Sequence, residues 1–309
     1  MTEQAAQADS PAGYPRAGYL LLAGLTFFWG INWPFMKIAL TEIPIWWFRT
    51  SCVLAGAIGL LSIAILSGNS LKVQKREIVP LLACTLFSIV GWQLFSGYGL
   101  TLMPAGRASI IAFTMPVWAA ILSVWFLGEE MTRYKLAGLA CGLAGLAVLM
   151  GPAIMVWHTA PLGAFFMLGA AMSWGLGTVL FKRFDWNLPV VSNVGLQLLL
   201  SAIPISIGAI LLEAPPDLTE LSDRAMFSAL YVYLFPMIFC MWAYFKVVKI
   251  FPATVAAVGT LMIPVIGVFS GAVVLSEKVG FQEISAMILI CLALACVMVL
   301  PNLNKQKQG

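Results

Sequence analysis

The side chains able to do chemistry within the long apolar stretches of this chain are aromatic, amide or hydroxyl groups, with almost no charge among them. They are Trp29, Trp92, Gln93, Ser96, Tyr98, Thr114, Trp118, Ser173, Trp174, Trp242 and Tyr244. Aromatic faces stack on aromatic side chains and attract cations at roughly 0.5–2 kcal/mol per contact. Amides and hydroxyls orient an ammonium or a carboxylate by hydrogen bonding. Such a set can bind a small molecule but has no means of cleaving one. Trp and Tyr are also ordinary filler in a helical bundle, so each carries a packing reading beside the substrate-binding one.

The acidic residues lie elsewhere. Asp9, Asp185, Asp217 and Asp223 are in tails or connections, and Glu42, Glu77, Glu129, Glu130, Glu213, Glu277 and Glu283 are near stretch ends. A charge at the bilayer centre costs at least about 2.5–3.5 kcal/mol and is usually kept for ion or proton coupling. With no such carboxylate, a facilitator is expected, or an exporter coupled by other means. The basic residues Lys37, Lys182 and Lys246 can snorkel to headgroups or serve as gates, and Arg49 or Arg107 can neutralise an anion near an exit. Glu129 and Glu277 are expected to cap loops or to pair with Arg133 and Lys278. Trp46, Trp47, Trp157 and Trp186, at stretch ends, read as interfacial anchors.

Enzyme chemistry is excluded on composition. The single histidine, His158, falls in a short connection, which rules out a HExxH zinc site and leaves a serine nucleophile without its base. No GxxxxGK[ST] phosphate loop occurs. The six cysteines all sit in apolar stretches at spacings that fit no zinc pattern, and there they act as small hydrophobes. No metal and no cofactor are expected.

What positions these residues is a doubled unit. PAGRASIIAFTMPVWAAILSVWFLGE over 104–129 returns as PATVAAVGTLMIPVIGVFSGAVVLSE over 252–277. Trp29-Gly30 with Lys37 likewise returns as Trp174-Gly175 with Lys182. About ten stretches reach the roughly 20 residues that a membrane helix needs: 18–39, 44–67, 78–100, 105–127, 133–151, 162–181, 189–212, 226–247, 253–275 and 280–300. The expected fold is an all-α polytopic membrane protein, a 5+5 inverted repeat, because an odd number of helices turns the second unit upside down. Lys and Arg excess in alternate connections puts both termini in the cytoplasm. The organisation is a disordered tail (1–17), a first repeat (18–151), a second repeat (162–300) and a basic tail (301–309).

Inverted repeats place a substrate site near the midplane between the halves and offer two mirror-related conformations. Pro116 and Pro264, paired by the repeat, are read as hinges, while Pro204 and Pro236 are divided between hinge and packing kink. Small residues of the fifth and sixth stretches (Gly138, Gly142 and Gly145; Gly169, Gly175 and Gly177) mark close helix contacts.

With 61% hydrophobic and 10% charged residues and a mean hydropathy of +0.96, the chain cannot clothe a soluble core. A net charge of +4 is too small to point to nucleic acid. The expected partners are a small-molecule substrate and the lipid bilayer, with the protein a monomer or weak dimer.

The ten stretches, two similar halves and the Pro-Ala…Pro-Val…Glu signature closing stretches four and nine resemble the drug/metabolite transporter superfamily, EamA type. Within it, the general character is similar to exporters of aromatic amino acids and methyl viologen. The resemblance implies export of amino acids, other metabolites or lipophilic cations from a central cavity walled by stretches three, four, eight and nine. It also leaves open a proton-coupled multidrug carrier or a nucleotide-sugar-type carrier, since fold alone does not set substrate. The inner membrane is the expected location.

Overall fold

The computed structural model describes residues 16–150, 162–250 and 253–296, and every regular element within them is helical. Most of the expected N-terminal tail, the whole basic tail, Trp157 and His158 lie outside the described residues. In chain order the helices are α1 Arg16–Glu42, α2 Ile45–Leu66, α3 Lys75–Thr101, α4 Ala105–Leu127 and α5 Arg133–Met150. They continue with α6 Leu162–Arg183, α7 Val190–Leu212, α8 Asp223–Tyr244 (helical on to Ile250), α9 Ala253–Leu275 and α10 Phe281–Leu294.

Among the described residues seven helices, α1–α4 and α6–α8, are long and apolar enough to cross a membrane; the apolar helices over Met262–Leu275 and Phe281–Leu294 are shorter. Their outward surface is oily: Leu66, Trp125, Val273 and Phe281 are 79–87% exposed. In water a surface of that kind would drive association, whereas hydrocarbon matches it. The protein is a multi-pass membrane protein.

Small residues show how the halves meet. Gly195 lies on Leu61 and Gly208 on Trp46, so α2 and α7 run antiparallel. Gly142 faces Ala293 and Gly145 faces Ile290, which sets α5 against α10 in the same sense. Gly106 faces Val268 and Gly267 faces Ser109, doing likewise for α4 and α9. Helices that correspond in sequence therefore point in opposite directions, as an inverted doubling requires.

The halves also exchange partners. α1 packs against α8 and α9, and α6 against α3 and α4. The Trp-Gly pairs are among the close approaches. A Cβ on Gly175 would lie 3.0 Å from the Ala119 nitrogen and 3.1 Å from the Met115 carbonyl oxygen. One on Gly30 would run into the Ile266 side chain, 3.4 Å from the Ile263 carbonyl oxygen. Met115 and Ile263 are the residues immediately before Pro116 and Pro264. Each half thus lays its glycine on the other half's mid-helix proline turn.

The helices are irregular at matched depths. α4 is broken at Phe113–Thr114 into Ala105–Ala112 and Met115–Leu127, because Pro116 has no N–H to extend the ladder. Pro264 instead lies within the continuous helix Ala253–Leu275. α1 turns at Ile31, three residues before Pro34, a break with no counterpart in the sequence reading. Two π-helical segments, Thr85–Gly91 in α3 and Tyr233–Cys240 in α8, begin 148 residues apart, the separation of Pro116 from Pro264. Pro236 accounts for the second, since its missing N–H shifts the register. The first holds no proline, and the Ser173 hydroxyl of α6 donates to its Phe87 carbonyl at 2.8 Å. That bond ties a π turn of one half to the other.

Candidate functional site

The sequence-predicted residues gather in several groups. Trp92 of α3 meets Trp174 of α6 edge-on, ring centroids 5.1 Å apart, which joins the halves through an aromatic pair. Trp29 of α1 lies 5.9 Å from Tyr244 of α8 across the pseudo-symmetric contact, and Trp242 has Phe239 at 6.2 Å and the Lys246 ammonium at 6.0 Å. At the break in α4, buried Thr114 donates to the Ile111 carbonyl and accepts from the Trp118 indole at 3.1 Å. The space beside this pair is about 10 Å³, room for one water at most. Tyr98 accepts from the Trp46 indole at 2.8 Å and stacks on Phe166. Trp46, half-buried in the first turn of α2, thus also packs into the bundle, with Gly208 against its ring. Ser173 has its hydroxyl committed to Phe87.

Gln93 and Ser96, both buried, converge on Arg49. Arg49 is 2% exposed; its Nη1 donates to the side-chain amide oxygen of Gln93 at 3.0 Å and its Nη2 to the Ser96 hydroxyl at 3.1 Å. Gln93 reaches on to Met237 in the π segment of α8. Two residues along α2, the Ser51 hydroxyl is 2.6 Å from that of Tyr233, also in that segment. This polar seam along α2, α3 and α8 was only partly foreseen. Its signal in the sequence is a charge set inside an apolar stretch, Arg49, with Tyr233 close before Pro236. An aromatic stack of Phe28, Phe35, Tyr231 and Phe235 beside it was not foreseen, and the Tyr231 hydroxyl donates to the Phe28 carbonyl at 2.7 Å.

The two ends of the bundle are tied across the halves. At one end Glu277, after α9, accepts from the backbone nitrogens of Ala105 (2.6 Å) and Gly106 (2.9 Å), capping α4 where its N-terminal dipole is positive. Lys37 of α1 lies 3.8 Å from the same carboxylate and donates to the Met103 carbonyl at 2.6 Å. A cleft of about 400 Å³ opens there, lined by Lys37, Thr41, Glu42, Arg224 and Glu277 among others. On the same side Arg107 of α4 pairs with Glu283 of α10 at 2.6 Å.

At the other end Glu129, after α4, is bound by Lys182 of α6 at 2.6 Å and by Lys135 of α5 at 2.9 Å, and accepts from the Ser123 hydroxyl. The lysine hydrogen bonds, Lys182 first, hold the Glu129 carboxyl down to about 2. The expected partners Arg133 and Lys278 are replaced by the two lysines of the Trp-Gly motifs. The reason is the exchange of α1 and α6 between halves, which carries Lys37 to Glu277 and Lys182 to Glu129. Among the described residues no cluster of His, Cys, Asp and Glu could hold a metal ion.

Comparison with known proteins agrees with this architecture. The EamA-like transporter family matches twice, over residues 16–151 and 161–299. The uncharacterized transporter YvbV of Bacillus subtilis is 31% identical over 281 residues, covering 90% of each chain. YoaV of the same organism, also an uncharacterized transporter, is 27% identical over 87% of this chain and 92% of its own. A Salmonella typhimurium protein named "Probable amino-acid metabolite efflux pump" is 25% identical over 88% of this chain and 91% of its own. One crystal structure superposes on 95% of this chain and 99% of its own with a TM-score of 0.67 at 19% identity, a likeness of fold.

Proposed function

The chain belongs to the EamA-like transporter family, and from that premise we propose that it exports aromatic and neutral amino acids by alternating access across the cytoplasmic membrane. The observation that carries this reading is the pair of cross-half ties, Lys37–Glu277 and Lys182–Glu129. Each joins the lysine of one half's first helix to the closing glutamate of the other half, at opposite ends of an inverted bundle. Opening one end while the other stays shut exchanges equivalent sets of contacts, so the two conformations differ little in free energy. The basic bias of alternate connections assigns the Lys37 end to the outside and the Lys182 end to the cytoplasm.

Amino acids are favoured by the relatives that bear an amino-acid efflux name and by the lining itself. Trp92 and Trp174 offer aromatic faces, and the seam from Arg49 to Tyr233 offers donors and acceptors. Lipophilic cations such as methyl viologen fit less well beside the buried positive charge of Arg49. Every carboxylate of the described helices lies in a first or last turn, so proton coupling through a midplane acid has no support.

The test is counterflow into proteoliposomes against a panel of amino acids, methyl viologen and nucleotide sugars. Labelled aromatic or neutral amino acid should accumulate transiently when the lumen holds the unlabelled compound. Counterflow of a nucleotide sugar alone, or uphill uptake strictly requiring a pH step at fixed membrane potential, would contradict the reading.

A further inference from the structure

Arg49 shares with Glu77 the lowest exposure of the charges among the described residues, and no acid among those residues pairs with it. It sits on the second turn of α2, 2% exposed, with Met36 of α1 and Gln93, Ser96 and Gly97 of α3 around its head. It is enclosed by helices on several sides and cannot snorkel to headgroups. None of the ion pairs among the described residues includes it. Arg stays charged in proteins, so the site cannot shed its charge by losing a proton. An uncompensated ion inside a membrane bundle is expensive and marks a functional site by default.

The hydrogen bonds show which part of the guanidinium is unused. Nη1 is spent on the Gln93 oxygen and, weakly, the Met36 sulfur; Nη2 spends one of its two hydrogens on Ser96; Nε is buried with no partner. The Nε–Nη2 edge is a two-donor fork of the kind that a carboxylate accepts with both oxygens. Gly97 lies over that edge: a Cβ there would come within 3.2 Å of Nε and 3.7 Å of Nη2. Glycine is what keeps the fork uncovered by a side chain.

We infer that Arg49 is the anchor for the α-carboxylate of the transported amino acid, received on the Nε–Nη2 edge while Gln93 and Ser96 hold the guanidinium in place. This rests on the amino-acid reading above and sharpens it. The carboxylate becomes a requirement of recognition, and amines lacking it are rejected because the anchor would stay unpaired. In the conformation described the edge is shut against Gly97, so substrate enters as α3 moves relative to α2. The π segment Thr85–Gly91, ending two residues before Gln93, is the irregular stretch in α3 at which such a movement can occur.

The experiment measures binding of phenylalanine, leucine and threonine, each beside its decarboxylated amine, to purified wild-type protein and to Arg49→Gln and Arg49→Lys. The wild type should bind each acid roughly thirtyfold or more tightly than its amine. Arg49→Gln should bind acid and amine alike, with acid binding weakened and the amine no longer rejected. Arg49→Lys keeps the charge but not the fork, so its preference should fall by about tenfold. If Arg49→Gln fails to fold, the lysine variant decides alone. Wild-type preference retained in every folded variant overturns the carboxylate anchor and leaves amino-acid export standing. A wild type that binds none of these acids overturns the export reading and the anchor together.

Discussion

Gly30 and Gly175 show how little room single positions leave. Each presses on the backbone or side chains of the turn that carries the other half's proline, and at Gly175 the nearest atoms are backbone, 3.0 and 3.1 Å from where a Cβ would stand. Backbone does not swing aside as a side chain tip does. Gly175→Ala should therefore destabilise the protein by about 1–3 kcal/mol, as overpacking does, and slow transport. Thermal melting of the purified protein checks the first, and counterflow rate the second. Gly30→Ala meets the Cβ and Cγ2 of Ile266, closer still and held in place by the backbone and the β-branch, and should cost at least as much.

Glu129 belongs to the same scale. Its carboxyl is held down to about 2 by Lys182 and Lys135, below the ordinary value near 4.5. A depressed acid contributes stability that is complete above its unfolded value and lost as pH falls through the folded one. The tie is thus intact throughout the neutral range and fades from about pH 4.5 down toward 2. The melting temperature of Glu129→Gln should lie below wild type by a constant margin near neutrality, and that margin should shrink on acidification. A margin that grows below pH 4.5 would have the wrong sign.

At the scale of elements, the prolines of the repeat do different things in the two halves. Pro116 accompanies an open break in α4, whereas α9 carries Pro264 without interruption. One member of the pair thus sits beside a broken turn and the other inside an unbroken helix, an asymmetry that two positions exchanging roles in transport would show. Replacing either proline by Ala restores a backbone donor and should raise stability slightly while slowing turnover severalfold, with substrate affinity little changed. Single-turnover and equilibrium binding measurements separate the two effects. Equal losses in binding and turnover would make the prolines packing kinks.

The same elements show what the sequence can carry. The doubling, the span positions and the crowding at the Trp-Gly pairs are written in Pro, Gly and Glu punctuation, because backbone demands are met by few residue types. The π segment of α3 has no such mark; it depends on Ser173 arriving from another helix. The partners of Glu129 and Glu277 were misread for a related reason. Neighbours in sequence, Arg133 and Lys278, were the nearest cations available, and only the exchange of α1 and α6 brings Lys182 and Lys37 instead. Arg49 was visible as a charge out of place, but its lack of an acid is a fact of three dimensions.

At the scale of the whole molecule, the account requires the two ties to oppose one another. Ser109, fully buried beneath the Lys37 end, and Val179, 3% exposed near the Lys182 end, can report on each side once replaced singly by Cys in a cysteine-free protein. The measurement is the rate of labelling of these two reporters by a membrane-impermeant maleimide, with Glu277→Gln or Glu129→Gln introduced. Glu277→Gln should speed labelling at 109 and slow it at 179, and Glu129→Gln should do the reverse. Labelling that rises at both reporters, or at neither, in both variants would contradict alternating access built on these ties.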